Sequence, residues 1–160
     1  MDTAAVLWLN RAARRGVSTR TMVAGAARWL SVVEIGLMLL LALDGRRGSA
    51  LRMLAAVATV YVACDGLGRV WSRPRPFERV AGLDPLVEHS EGRSFPSRHV
   101  ASGVAMAAIG SRAHPRLGAI MSLVACVLGA SRVAAGVHYP TDILGGAALG
   151  LFVGCYARRS

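Results

Sequence analysis

Ser131-Arg132-Val133-Ala134-Ala135-Gly136-Val137-His138-Tyr139-Pro140-Thr141-Asp142 is the stretch that decides the fold. It lies between two apolar runs and places an Arg, a His and an Asp at fixed intervals. Two other polar clusters precede it, Phe95-Pro96-Ser97-Arg98-His99 and Arg73-Pro74-Arg75-Pro76. Arginines, two histidines and a carboxylate at the borders of apolar segments indicate a site that handles phosphate on a lipid.

The composition is typical of a helical membrane protein. The 160 residues are 54% hydrophobic, with a mean hydropathy of +0.45. A chain of this length predicts one domain, residues 1–160. The apolar residues occur in runs that are interrupted by Gly and single Arg, which favours membrane helices over a soluble core. The first residues lack a basic segment before their apolar stretch, so no signal peptide is expected.

The positively charged side chains of this protein are all arginines. The net charge is +10, with 19 Lys+Arg positions that are all Arg. Such a charge would suit a nucleic-acid-binding protein. The arginines, however, occur in short clusters between apolar runs and not along one face. We interpret them as membrane-border anchors and as ligands for lipid headgroups or phosphate, and we expect no nucleic-acid partner.

Five apolar runs predict an all-α, polytopic membrane helix bundle with about five transmembrane helices. The runs cover about 22–43, 51–68, 99–112, 117–131 and 141–157. Several are shorter than the roughly 20 residues needed to span a bilayer, a deficit that snorkelling arginines can cover. Near the N-terminus, Ala4, Leu7, Trp8 and Ala12 lie near one helical face, so residues 1–20 are predicted to form an interfacial amphipathic helix.

Five crossings place the three polar clusters on one side of the membrane. The 1–20 helix and the predicted active-site loops, 69–98 and 131–142, share that side. The opposite side carries seven arginines: Arg46, Arg47, Arg52, Arg112, Arg116, Arg158 and Arg159. By the positive-inside rule the opposite side is cytoplasmic, although four arginines of residues 11–20 argue against it. We therefore expect a multi-pass protein of the inner (plasma) membrane with an extracytoplasmic active site.

The residues of the clusters match the needs of phosphoryl transfer. Arg75, Arg98 and Arg132 can stabilise charge on the phosphate oxygens. One histidine can attack phosphorus while the other protonates the leaving oxygen. Four residues after His138, Asp142 can orient its ring and stabilise its cation. Ser97 adds a hydroxyl donor at the start of a predicted helix, where backbone N–H groups favour an anion.

These motifs resemble those of the type 2 phosphatidic acid phosphatase family of membrane lipid phosphatases. The family pattern ends with Ser-Arg, five residues, His, three residues and Asp, which 131–142 matches in full. Its Pro-Ser-Gly-His motif is similar to Pro96-Ser97-Arg98-His99, with Arg in place of Gly. Its first motif, a Lys seven residues before Arg-Pro, keeps Arg75 and Pro76 but has Gly68 at the Lys position.

The resemblance implies a role for each motif residue. His138 would be the nucleophile that forms a phosphohistidine, His99 the general acid, and Asp142 the group that orients His138. Arg75, Ser97 and Arg132 would bind phosphate, with Arg73 and Arg98 as extra clamps in place of the missing Lys. No metal or other cofactor is implied. The family usually has six membrane helices, so this chain is expected to lack the first.

Other polar residues receive structural interpretations. His89 and His114 lie among polar loop residues and are expected to be solvated. Glu34, inside an apolar run, is expected to pair with an arginine at depth. Asp65 precedes Arg69 by four residues, which predicts an intrahelical ion pair.

The substrate is expected to be a membrane lipid. In its small size and its Pro-Ser-Arg-His variant the chain resembles bacterial polyprenyl phosphatases, and this resemblance implies a polyprenyl (di)phosphate or a polyprenyl-phosphoryl sugar phosphate. Phosphatidic acid or phosphatidylglycerophosphate is the alternative. Outside enzymes, the alternatives are a non-catalytic scaffold that binds anionic lipid and a small transporter, which the lack of evident inverted repeats disfavours. No motif specifies the lipid chain or an oligomeric state.

Overall fold

The computed structural model describes residues 2–158, and these residues form seven helices and no strands. In chain order the helices are α1 (Asp2–Ala13), α2 (Val17–Leu43), α3 (Arg47–Val70), α4 (Pro76–Arg79), α5 (Arg98–Ala113), α6 (Pro115–Ala134) and α7 (Pro140–Ala157). The prediction of an all-α membrane bundle is confirmed. Arg159 lies outside the described residues, so its predicted place opposite the site stays a prediction.

Four helices, α2, α3, α6 and α7, are long and apolar enough to cross a membrane. They are longer than the apolar runs that predicted them, because polar residues continue each helix at its ends; α2, for example, begins at Val17 and not near residue 22. The remaining predicted span, α5, has only 16 residues and packs against α2, α3, α6 and α7. Because neighbours cover this central helix, it does not need a full bilayer-length apolar surface.

Glycines on α7 allow it to lie directly against α5. A Cβ atom at Gly146, Gly150 or Gly154 would lie 2.6, 2.3 or 2.8 Å from a backbone oxygen of Ser97, Ala101 or Ala105, respectively. Small residues at this spacing permit close helix contact in lipid, where van der Waals packing drives association. The contact brings the start of α7 beside the start of α5, and both starts carry polar motif residues.

The N-terminal helix α1 covers the end of the bundle on the side of the motifs. Val6, Asn10 and Ala13 are buried, and Asn10 Nδ2 donates to the backbone oxygen of Ala134 at 3.0 Å. The face predicted to lie in the interface is divided: Ala4 and Trp8 are exposed, whereas Leu7 is half-buried and packs against the buried cluster that contains Val6. Part of the apolar face of α1 therefore contacts the bundle, and its place at the membrane interface stays a prediction.

The predicted 131–142 loop is shorter in the structure. The sequence Ser131–Ala134 forms the last turn of α6, and Pro140 begins α7, so only residues 135–139 connect the two helices. The 69–98 segment likewise begins inside α3 and contains the short helix α4. At the opposite end of the bundle, Arg46 Nε donates to the oxygen of Ala113 at 2.7 Å, which joins the α2–α3 and α5–α6 connections.

Candidate active site

His138 and Asp142 face each other across the start of α7. His138 is 3% exposed, and its Nδ1 atom lies 3.6 Å from Oδ2 of the fully buried Asp142. The same Oδ2 accepts the backbone N–H of Tyr139 at 2.8 Å, which fixes the carboxylate in the first turn of the helix. With Nδ1 on the carboxylate, Nε2 is the nitrogen of His138 that is available for chemistry.

The environment keeps His138 neutral near pH 7. Burial lowers the pKa of His138 to about 4, with contributions from Arg132 and Arg75 against the opposing effect of Asp142. A neutral imidazole has a free lone pair, whereas an imidazolium has none, so the low pKa suits a nucleophile.

Arg75 is fixed beside this lone pair by the backbone. Its Nη1 atom is 3.4 Å from His138 Nε2 and donates to the oxygen of Val137 at 2.9 Å. Its Nε atom donates to the oxygen of Ser90 at 3.1 Å. The side chain is 4% exposed, so these carbonyls replace water around a buried cation. The guanidinium of Arg75 is therefore held in one position next to His138.

Several buried donors near His138 have no hydrogen-bond partner among residues 2–158. Arg132 is 4% exposed and donates from Nη1 to the oxygen of Ala27 at 3.1 Å, while its Nε and Nη2 atoms are unpaired. The hydroxyl of Ser97 is also buried and unpaired. Because buried donors are normally satisfied, these unpaired donors, with that of Ser97 at the start of α5, indicate a place for an anion.

His99 lies in the first turn of α5, directly after Ser97 and Arg98. The backbone N–H of Ser97 donates to the oxygen of Asp142 at 3.0 Å, which ties this turn to the start of α7. His99 is within electrostatic reach of Arg132 and His138. The structure thus brings together the two histidines, Asp142, Ser97, Arg75 and Arg132, as the sequence predicts.

Arg73 has a different environment from the other predicted phosphate ligands. Its Nη1 atom donates to Asp142 Oδ1 at 3.0 Å and to Thr141 Oγ1 at 2.6 Å, and its Nη2 atom donates to Asp2 Oδ2 at 2.9 Å. The guanidinium also lies 3.8 Å from the ring centroid of Tyr139. Arg73 therefore contacts the carboxylate that faces His138, through the oxygen that His138 does not use.

His89 is a site residue that the sequence assigned to solvent. The structure places its half-buried ring edge-on to His138, with ring centroids 6.3 Å apart. Burial, helped by Arg75, Arg132 and Arg98, lowers its pKa to about 4. No sequence signal separates His89 from His114, which instead caps α6 by accepting the N–H of Leu117 at 3.3 Å. Only the folding of the 69–98 segment brings His89 to the site.

Two cavities adjoin the site. A polar cleft of about 590 Å³, which we call the arginine cleft, is lined by Arg69, Arg75, Arg93 and Arg98 together with Asp65 and Glu91. An apolar cavity of about 190 Å³ lies between α2, α3 and α5 and is lined by His99, Tyr61 and Glu34, among others.

Glu34 is 1% exposed and has no hydrogen-bond partner among the described residues, so the prediction that it pairs with an arginine is wrong.

The sequence of this chain matches a known protein family. A family model described as the PAP2 superfamily matches residues 49–160, well over half of the chain.

The chain belongs to the PAP2 superfamily.

Curated relatives cover part of the PAP2 chain. The bacitracin transport permease protein BcrC of Bacillus licheniformis is 30% identical over 105 residues, which are 62% of this chain and 52% of the relative. The putative undecaprenyl-diphosphatase YbjG of Escherichia coli K12 is 30% identical over 119 residues, 73% of this chain and 59% of the relative. The chain thus spans between half and three-fifths of these relatives.

Two solved structures share this fold over nearly the whole length of the chain. LpxE of Aquifex aeolicus superposes with a TM-score of 0.85 at 24% identity and covers 99% of this chain and 95% of its own, a likeness of fold. The PAP2 type phosphatidylglycerolphosphate phosphatase of Bacillus subtilis gives a TM-score of 0.60 at 25% identity, with 99% and 94% covered.

Residues outside the PAP2 match also support the site. Asp2 on α1 contacts Arg73, and the oxygen of Ala27 on α2 accepts from Arg132. Both residues precede the matched segment, 49–160. The N-terminal helices thus contact two arginines of the motif segments, Arg73 and Arg132.

Proposed function

We propose that this PAP2 protein is a membrane lipid phosphatase that removes a terminal phosphate through a phosphohistidine on His138. The observation that carries the proposal is the arrangement around His138, with its Nδ1 atom on Asp142 and its Nε2 atom beside Arg75. Unpaired buried donors on Arg132 and Ser97 provide ligands for the phosphate oxygens.

The first half-reaction transfers the phosphoryl group to the protein. The Nε2 lone pair of His138 attacks the terminal phosphorus, and a P–N bond forms as the bond to the leaving lipid oxygen breaks. His99 takes up a proton as the anionic phosphate enters, because the added negative charge favours the imidazolium, and it gives that proton to the leaving oxygen. Asp142 stabilises the positive charge that develops on the ring of His138.

The second half-reaction returns the protein to its starting state. Water attacks the phosphohistidine and gives a proton to His99, and the P–N bond breaks to release phosphate. Throughout, Arg75 and Arg132 stabilise charge on the phosphate oxygens in a site from which water is largely excluded. In this scheme the charge stabilisation and both proton transfers come from side chains, and no step uses a metal ion.

The substrate that we favour is a phosphorylated polyprenyl lipid. The relatives include a protein named as a putative undecaprenyl-diphosphatase, which supports a polyprenyl diphosphate. A polyprenyl-phosphoryl sugar phosphate is included in the proposal because it also ends in a phosphate. The apolar cavity beside His99 offers space for lipid carbons next to the reacting group. Phosphatidylglycerophosphate is the second candidate, because a structural relative at 25% identity is described as a phosphatase for that lipid.

Phosphate release from purified protein tests this function. The substrates are undecaprenyl diphosphate, a polyprenyl-phosphoryl ribose phosphate, phosphatidic acid and phosphatidylglycerophosphate, each assayed in detergent with and without a chelator. We expect release that the chelator does not reduce, fastest with a polyprenyl lipid. The absence of release from all four lipids would contradict the phosphatase and favour a lipid-binding scaffold.

The membrane location that we propose is the inner membrane, with the site on the extracytoplasmic face. Arg46, Arg47 and Arg112 lie near the opposite end of the bundle and favour that end as the cytoplasmic side, against the four arginines of residues 11–20 on the side of the site. A green fluorescent protein fused after α7 should fluoresce, because α7 ends at that same side. A dark fusion beside an active alkaline phosphatase fusion at the same point would reverse the orientation.

A further inference from the structure

The arginine cleft is larger than one phosphate requires. Its volume is about 590 Å³, and it continues outward from Arg75, which lines it. Because Arg75 Nη1 is also 3.4 Å from His138 Nε2, the cleft begins where the transferred phosphate must lie. A second polar group of the substrate, attached beside the transferred phosphate, can therefore lie in the cleft.

The cleft has an excess of positive charge. Four arginines line it, against the carboxylates of Asp65 and Glu91. Asp65 serves two of these arginines, Arg69 at 2.7 Å and Arg93 at 3.2 Å. Arg98 forms no ion pair within residues 2–158, and its guanidinium lies 5.6 Å from the ring centroid of Tyr61. Such a group of guanidinium forks, only partly neutralised, suits an anion with several oxygens.

The position of Arg93 depends on the absence of a side chain at residue 68. A Cβ atom at Gly68 would lie 3.3 Å from Arg93 Cδ and 3.5 Å from Arg93 Cβ. Arg93 therefore lies across the surface of α3 at Gly68 and reaches Asp65 on the same helix. The backbone oxygen of Arg93 also accepts from Arg75 Nη2 at 3.4 Å, which links its position to that of the phosphate site.

We propose that the arginine cleft binds the second, non-transferred phosphate of a lipid with two phosphates, through Arg93 and Arg98. The inference rests on the proposed phosphatase function and makes it more specific. Arg75 then lies between the two phosphates, next to the reacting one and at the entrance of the cleft for the other. Two lipids carry this chemistry: a diphosphate, and a sugar phosphate joined to its lipid by a phosphodiester.

Matched substrates isolate the second phosphate. Farnesyl diphosphate and farnesyl monophosphate have the same tail, so the ratio of their kcat/KM values measures the contribution of the extra phosphate. Hydrogen bonds to charged groups predict that Arg93→Gln and Arg98→Gly each lower this ratio about tenfold or more. Arg79→Gln removes the same charge from an exposed arginine on the same side, outside the cleft, and should leave the ratio at its wild-type value.

A further arm distinguishes the two lipid sources. The same variants are assayed with farnesyl-phosphoryl ribose 5-phosphate, in which the sugar separates the two phosphates. The substrate whose kcat/KM falls more in Arg93→Gln is the one whose spacing the cleft fits. Activity of each variant on the monophosphate shows that it is folded.

Different failures have different meanings. If wild type hydrolyses both farnesyl phosphates and neither cleft variant changes their ratio, the second-phosphate site is overturned and the phosphatase remains. If wild type hydrolyses no lipid phosphate, the proposed function is overturned together with the cleft. An equal loss of ratio in Arg79→Gln would also overturn the site, because the effect would then be one of general surface charge.

Discussion

The two sides of the active site differ in how firmly their side chains are fixed. On the His138 side, residues 131–139 are all buried, and Asp142, Arg73 and Arg75 are held by hydrogen bonds at 2.6–3.1 Å. On the side of the arginine cleft, Arg93 and Arg98 are exposed and share few contacts. Buried, hydrogen-bonded side chains suit a reaction centre because their fixed geometry can stabilise a transition state, whereas exposed arginines can adjust to substrates of different shape.

The largest expected effect is the loss of the nucleophile. His138→Ala should lower phosphate release at least about a thousandfold, because no other group replaces the lone pair of Nε2. His114→Ala is the matched control, since His114 caps α6 at the far end of the bundle. Phosphate release within tenfold of wild type from a folded His138→Ala protein would disprove the proposal that the reaction takes place on the His138 side of the site.

Removal of the charge on Asp142 should have the next largest effect. Asp142→Asn keeps an oxygen for the Tyr139 N–H but no longer stabilises the His138 cation, so kcat should fall about 10²–10⁴-fold. Asp142 opposes the other influences and raises the pKa of His138. His138 loses its lone pair as pH falls through about 4, so the acidic limb of kcat/KM should lie near that pH and move lower in Asp142→Asn. An unshifted limb would assign it to another group.

Substitution of Arg73 tests whether this hydrogen-bonded arginine binds the phosphate or positions Asp142. Because Arg73 contacts Asp142, Thr141 and Asp2, Arg73→Gln should reduce kcat about tenfold and leave KM and inhibition by inorganic phosphate nearly unchanged. Arg132→Gln is the comparison variant, and there the inhibition by phosphate should weaken. A similar weakening in Arg73→Gln would restore the sequence-based prediction that Arg73 is a phosphate clamp.

The smallest expected effect comes from Gly68→Lys. A side chain at residue 68 meets Arg93 Cδ and the oxygen of Phe95, each 3.3 Å from the new Cβ, so the neighbours must shift by a few tenths of an ångström. We expect kcat within about threefold of wild type, because a lysine brings a charge while it displaces Arg93. A gain of tenfold or more in the release assay would show that the cleft lacks a cation that Arg93 does not supply.

The sequence predicts that His138 and Asp142 lie close together because their placement depends on local spacing. The four-residue interval from His138 to Asp142 places both near the first turn of one helix, and the hydrophobic runs bring the starts of α5 and α7 to the same side. The helix class follows from the same runs. Helix ends are less predictable, as the extension of α6 to Ala134 shows, because arginines continue a membrane helix beyond its apolar run.

Other parts of the site depend on contacts that no spacing encodes. The hydrogen bond between Thr141 and Asp2 joins residues 139 positions apart, and Arg73 reaches both only after α1 packs on the bundle. His89 approaches His138 through an irregular segment without hydrophobic periodicity. The side chain of Arg93 occupies the space that a side chain at residue 68 would fill, and only the packing in the structure shows this. Such long-range placements are what the structure adds to the motifs.

The central claim is that His138 carries the phosphoryl group, and trapping the intermediate tests it most directly. Purified protein is mixed with a lipid whose terminal phosphate is radiolabelled and is quenched in alkali, in which phosphohistidine survives, within one turnover. The account predicts label on the peptide that contains His138 in wild type, more label in a His99→Ala variant if hydrolysis is the slower step, and none in His138→Ala. Free phosphate formed at the full rate with no labelled protein, or label that persists in His138→Ala, would contradict it.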